Sequence, residues 1–215
     1  MFIRKLALAA LALGGLGFVQ AAQAQGSVNV YCSVQNEWCQ AIVTNFQRDT
    51  GIRVNMTQRG SGESLAAIRA EAQNPRADVW FGGTGDPHLA AAEENLTQAY
   101  ESPNNAELQP WALTQWRQSQ QRAIGVYAGA IGFGINTELL ARKNIAPPAC
   151  WADVLDARFK GEIQMANPNS SGKAYVVIAT LVQLMGEDPA SGASPIRPLA
   201  LLRGSSVLSS AGVKA

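Results

Sequence analysis

From Ser27 the chain alternates two hydrophobic periods. Val28-Asn29-Val30-Tyr31 follows the two-residue alternation of a half-buried strand and runs into Cys32-Ser33. Asn36 to Asp49 then carries Trp38, Ala41, Ile42, Asn45 and Phe46 at helical spacing. It ends at Thr50-Gly51, where glycine suits a helix C-terminus. Ile52 to Met56 reads as a second strand. Arg59-Gly60-Ser61-Gly62-Glu63 opens a helix reaching about Ala72, and Asn74-Pro75 breaks it. Ala77 to Phe81 reads as a third strand, ending in Gly82-Gly83-Thr84. Asp86 as N-cap and Pro87 as first helical residue start a helix through about Asn95.

Beyond Gly125 the pattern changes. GVYAGAIGFGINTELL is apolar and glycine-rich, which predicts strands lying close to other backbone. Ala146-Pro147-Pro148 breaks the chain, and Cys150 to Leu155 reads as a short helix. Glu162 to Ala166 reads as a strand, followed by the small-residue loop NPNSSG and a helix over about 173–186. Strands alternating with helices predict an α/β fold with a mostly parallel sheet, whose ligands bind at the carboxyl ends of the strands. Three successive units end in small or hydroxyl residues: Cys32-Ser33, Gly60-Ser61-Gly62 and Gly82-Gly83-Thr84. Each alone is equally a helix cap; in register they predict one shared site.

Composition narrows the function. Arg4 and Lys5, the apolar run from Leu6 to Val19 and Ala22-Gln23-Ala24 have the three parts of a secretory signal peptide, cut after Ala24. The run is shorter than the ~20 residues of a membrane-spanning helix. Losing Arg4 and Lys5 takes the formal charge from +1 to −1, with no basic block, so nucleic acid has no electrostatic footprint. Export permits a Cys32–Cys39 disulfide, which the sequence leaves open, with Cys150 then unpaired. With His88 as the sole histidine and no CxxC spacing, neither a metal site nor a cofactor is expected. A hydrolase reading is weak: Ser61 lacks the G-x-S-x-G elbow and has only His88 as an imidazole base. The Gly172-Lys173 pair hints at a nucleotide-binding P-loop. However, Asn167 stands where that motif needs glycine, and Ala174 where it needs Ser or Thr.

Several segments together, VNVYCS, RGSGES, ADVWFGGTGDP, GFGIN, FKGEIQMANPNSSG and TLVQLMGED, resemble the bacterial extracellular solute-binding proteins of ABC importers. The resemblance is nearest to the ferric-ion, phosphonate and sugar-phosphate binders. It implies a type II periplasmic-binding-protein-like fold of two lobes closing on a ligand, and a non-catalytic, monomeric, periplasmic protein that hands a captured solute to a membrane permease. The implied division is a first lobe over 25–125 and a second over 126–188. The resemblance ends at Asp188, and residues 189–215 hold no acidic and no aromatic residue. A tail outside the family pattern and an unfinished second lobe are therefore expected.

The residues and the resemblance converge on an anion. A helix N-terminus contributes roughly 0.3–1 kcal/mol toward a negative charge, and up to ~2 when partly buried. Candidate ligand residues are Ser33, Ser61, Gly62, Gly83 and Thr84 in the first lobe, faced by Ser170, Ser171 and Gly172 in the second. Tyr127 and Lys173 are weaker candidates. His88 is expected on the solvated surface, Asp78 in a structural role, and Trp38 and Trp80 in the core. A small phosphorylated or phosphonate solute leads. Ferric ion is the alternative, although only Tyr175 follows the Ser170-Ser171 loop as a phenolate ligand.

Overall fold

A computed structural model describes residues 26–186. The signal-peptide reading of residues 1–24 and the tail reading of 189–215 lie outside the described residues. Strand β1 (Ser27–Cys32) leads into helix α1 (Asn36–Thr50), strand β2 (Arg53–Gln58), helix α2 (Ser61–Ala70), strand β3 (Val79–Phe81) and helix α3 (Gly85–Glu93). Helices α4 (Pro110–Gln118), α5 (Thr137–Arg142) and α6 (Gly172–Met185) follow, with one 3-10 turn before α4 and two between α5 and α6.

The described strands form one parallel sheet in the order β2-β1-β3. β1 is central: Cys32 pairs with Gln58 on one side and Phe81 on the other. All three strands therefore stop on one edge, and the loops after them are forced together. Asp78 fastens the start of β3 by accepting from the Asn29 N–H at 2.7 Å and the Asn29 side-chain amide at 3.1 Å. That is the structural role expected of it. α1 ends as the sequence predicts, with Gly51 at φ 71° and its N–H on the Gln47 carbonyl.

Several expectations need correcting. Thr84, not Asp86, stands at the N-cap position of helix α3, without a side-chain cap bond, and Pro87 lies third in the helix rather than first. The cause is the Gly82-Gly83 turn, at φ 73° and 97°, which delivers Thr84 already extended, so the helix begins at once. Proline is tolerated there because the first N–H groups of a helix have no partner within it. Residues 125–136 and 162–166 form no strand, and Cys150 to Leu155 is reduced to a 3-10 turn at Asp153–Leu155. An extended segment becomes a strand only where a neighbour completes its ladder, and none among the described residues does so for these two. Trp38 is not core: it is 51% exposed, continuing with Ile42 and Phe46 as an uncovered stripe along α1. His88 is not on the solvated surface, as described below.

Tyr31 and Cys32 on β1, Leu65 on α2, and Ala91 and Ala92 on α3 are buried. Cys32 and Cys39 are disulfide-bonded, joining the end of β1 to the first turn of α1, while Cys150 is free and exposed. Closing so short a loop restrains the unfolded chain by about 2–3 kcal/mol in the chain-entropy picture. For a chain of this size that is a Tm difference of about 5–10 °C. Reduction with dithiothreitol, or replacement of Cys32 and Cys39 together by serine, should lower Tm by that amount in a scan at neutral pH.

Candidate functional site

Because β1, β2 and β3 end together, the first turns of α2 and α3 start side by side. The Thr84 N–H donates to the Ser61 hydroxyl at 3.2 Å, linking the two helix starts. Ser61 is buried. The third helix start arrives from the far end of the chain: a Cβ on Gly172, the first residue of α6, would lie 2.2 Å from Thr84 Oγ1 and 2.8 Å from Ser61 Oγ. Only glycine lets α6 approach this closely. Gly83 is equally crowded, since a Cβ there would meet Ser61 Oγ at 2.4 Å and the Ser33 Cβ at 3.0 Å.

The structure thus brings together Ser33, Ser61, Gly83, Thr84 and Gly172. Gly62 and Ser170 meet directly, as the Gly62 N–H donates to the Ser170 carbonyl at 3.1 Å. The Gly60 N–H is taken by the Glu63 carboxylate at 2.9 Å. Two N–H groups at the start of α2 therefore already have protein acceptors. Ser171 caps α6 by accepting from the Ala174 N–H at 3.4 Å. Lys173 projects as an exposed residue from the first turn of that helix. Thr84 Oγ1 differs from all of these: it is buried and has no hydrogen-bond partner. A buried hydroxyl left unpaired costs about 1–3 kcal/mol, so its presence calls for a partner.

Behind these groups stands a support that pattern reading missed. The Ser33 hydroxyl accepts from Trp80 Nε1 at 2.9 Å and lies 3.0 Å from the hydroxyl of fully buried Ser64. The Trp80 indole is stacked on His88, with ring centroids 3.7 Å apart. His88 Nε2 is 2.8 Å from the Gly82 carbonyl, which can only accept, so Nε2 carries the proton. Tyr127 grips the next residue from the other side: its hydroxyl accepts from the Gly83 N–H at 2.9 Å and donates to the Gly83 carbonyl at 2.8 Å. The left-handed Gly82-Gly83 turn is held by one ring on each residue. Nothing in the local pattern signals His88, because its stacking partner lies on the preceding strand.

Residues 74–193 match the family model of bacterial extracellular solute-binding proteins, which is more than half of the chain. The chain belongs to this family. A Haemophilus influenzae protein of uncharacterised function is 41% identical over 182 residues, covering 84% of this chain and 53% of that protein. A putative 2-aminoethylphosphonate-binding periplasmic protein of Salmonella typhi is 27% identical, covering 73% of this chain and 42% of its own length. Among solved structures, the periplasmic binding protein AfuA of Actinobacillus pleuropneumoniae, with fructose 6-phosphate bound, is similar at TM-score 0.69 and 41% identity. That match covers 78% of this chain and 53% of AfuA. The periplasmic binding protein P5PA is similar at TM-score 0.71 and 39% identity, with 75% of this chain and 52% of P5PA covered. The fold is therefore of the type II periplasmic-binding-protein kind, and the chain spans about half the length of the relatives it matches.

Two outcomes test the local account. Thr84→Val replaces the unpartnered hydroxyl by a methyl of similar shape and should raise the stability of the ligand-free chain by about 1 kcal/mol, or about 2–4 °C in Tm. His88 is pushed below its ordinary 6.5 by burial, against a smaller opposing effect of its hydrogen bond to Gly82. Below pH 6.5 the unfolded chain then binds the proton more readily than the folded one. The stability owed to neutral His88 is complete above pH 6.5 and is lost as pH falls through the folded-state value. Tm should drop on acidification from pH 7 to pH 5, and His88→Gln should show a shallower drop.

Proposed function

We propose that this chain carries the anion-recognising wall of a periplasmic solute-binding protein serving an ABC importer, and that the solute is a small phosphorylated or phosphonate-bearing molecule. The observation that carries the reading is the meeting of three helix starts around the buried, unpartnered hydroxyl of Thr84. Helix N-termini and hydroxyls are donors, and a phosphoryl or phosphonate group is an array of acceptors. Ser61, Thr84 and Gly83 on one side, and Ser170, Ser171 and Gly172 on the other, are the contacts proposed. Ser33 and Gly62 complete the first-lobe set, the former anchored through Trp80. Tyr127 acts by fixing Gly83. The fructose 6-phosphate bound to AfuA and the 2-aminoethylphosphonate for which the Salmonella typhi relative is named support the same class.

Ferric ion would require the opposite chemistry, a cluster of carboxylate and phenolate oxygens. The site is rich in donors instead, which favours the anion. Periplasmic residence fits the small-residue cleavage pattern at Ala22-Gln23-Ala24 and the formed Cys32–Cys39 disulfide. Binding and delivery to a permease, without turnover, is the role proposed.

Since the Ser170 carbonyl occupies the Gly62 N–H, an incoming anion has to displace the 167–171 turn from α2 before the helix starts can close on it. The test is calorimetry and thermal shift on the disulfide-intact chain with inorganic phosphate, fructose 6-phosphate, 2-aminoethylphosphonate and ferric citrate. A phosphorylated or phosphonate ligand should raise Tm, by about 2.7 kcal/mol of stabilisation at a hundredfold excess over Kd. Thr84→Val should weaken that ligand by about 10–100-fold, the value of a hydrogen bond to a charged group. Stabilisation by ferric citrate alone, or by none of the four, would overturn the reading.

A further inference from the structure

Two of the site's hydroxyls already accept hydrogen bonds from the protein. Ser33 Oγ accepts from Trp80 Nε1 at 2.9 Å, and an indole N–H can only donate. The same oxygen lies 3.0 Å from Ser64 Oγ, where the distance alone leaves the direction open. Burial decides it. Ser64 is fully buried and its hydroxyl has no other partner among the described residues, so its proton is paired only if it donates to Ser33. Ser33 therefore accepts twice, and all it has left to offer is its own proton. Ser61 Oγ accepts from the Thr84 N–H at 3.2 Å, which leaves the Ser61 proton free as well. Thr84 Oγ1 is buried with no partner, and its proton is the third.

These three protons and the first N–H groups of the helices converge on one small space. Acceptors there are already engaged. The Glu63 carboxylate is held by the Gly60 N–H at 2.9 Å, and the Ser170 carbonyl leaves with the 167–171 turn when an anion enters. A phosphoryl group that keeps a proton brings one more donor, and no acceptor in the site is free to receive it. Ser61 or Thr84 would have to accept from and donate to the same phosphoryl group, which one hydroxyl cannot do with good angles.

We propose, on the anion-binding reading given above, that the site takes a phosphoryl or phosphonate group only in its fully ionised, doubly charged form. Trp80 and Ser64 are the positioning residues that make Ser33 an obligate donor. The second proton of a phosphate monoester leaves at about pH 6, so the solute itself titrates near neutrality. Around the strand edge stand Glu37 on α1, Glu63 on α2, Asp86 and His88 on α3, Lys173 on α6, and Tyr127 beside Gly83. Arg59, just before α2, lies over the Tyr31 ring. Acidification can only add positive charge to these groups, which strengthens the binding of an anion. A loss of affinity at low pH therefore carries the sign of the solute's proton and not of the protein's.

The test is calorimetry on the disulfide-intact chain with fructose 6-phosphate and 2-aminoethylphosphonate at pH 7.5 and pH 5. Two buffers of different ionisation enthalpy at each pH count the protons released. Fructose 6-sulfate and 2-aminoethylsulfonate, which have no second proton, are the matched controls. Affinity for the phosphate ester should fall about tenfold at pH 5, following its doubly charged fraction. About nine-tenths of a proton should leave per molecule bound at pH 5 and almost none at pH 7.5, with none from the sulfur counterparts at either pH. Trp80→Phe and Ser64→Ala each return a lone pair to Ser33, and in each the fall should shrink to about threefold or less. A merely structural loss would instead lower affinity equally at both pH values. Binding that keeps the proton at pH 5, or a fall unchanged in both variants, would overturn the proposal and leave the anion reading standing. Failure of both phosphorus ligands to bind at either pH would overturn the two together.

Discussion

Parallel pairing of β1 to both of its neighbours is the constraint on which the rest depends. It places Cys32, Gln58 and Phe81 side by side, so whatever follows each strand must share one small space. The chain supplies Ser33 after β1, Gly60-Ser61 past Arg59 after β2 and Gly82-Gly83-Thr84 after β3, and the helices that follow begin almost in contact. The polarity of the site is a by-product of this topology, because helices that start together aim their unsatisfied N–H groups the same way.

The same crowding governs how the later part of the chain docks. A Cβ on Gly60 or Gly62 would lie 2.3 or 2.0 Å from the carbonyls of Ser170 and Asn169. These two glycines are therefore set by contact with the 167–171 turn as much as by any solute. The backbone bond from Gly62 to Ser170 means that the ligand-free site is not a bare pocket. It is a set of donors partly shielded by the protein's own carbonyls, against which an anion must compete, while Thr84 Oγ1 has no such shield.

Much of the stretch from β1 to α3 was legible because its signals are local. The alternation in Val28 to Tyr31, the glycine at 51 and the Gly60-Ser61-Gly62 start each specify an element within a few residues, and the convergence of Ser61, Gly83 and Thr84 followed from counting parallel strands. What was not legible is non-local. GVYAGAIGFGIN and Glu162 to Ala166 have strand chemistry, but a strand is a property of two segments, and the second is missing among the described residues. Trp38 and Ile42 sit on an apolar face that reads as core, yet among the described residues that face is covered only in part, by the edge of Tyr127 on Trp38. His88 owes its burial to Trp80, eight residues upstream across a turn whose conformation the pattern does not encode. The third side of the site, where Gly172 touches Thr84, spans nearly ninety residues of chain and has no sequence period to announce it.

The placement of the cysteines has its own chemical consequence. A free thiol in the same molecule as a disulfide is ordinarily a route to scrambled isomers, since a thiolate attacks any sulfur it can reach. Here the attacker and its target are kept apart by solvent access: Cys150 is exposed, while Cys32 and Cys39 are only 2% and 1% exposed. The fold therefore acts as a kinetic guard over its own covalent bond. Cys150 is open to alkylation, oxidation or mixed-disulfide exchange while the chain is folded, and the Cys32–Cys39 pairing comes within its reach only when β1 and α1 come apart.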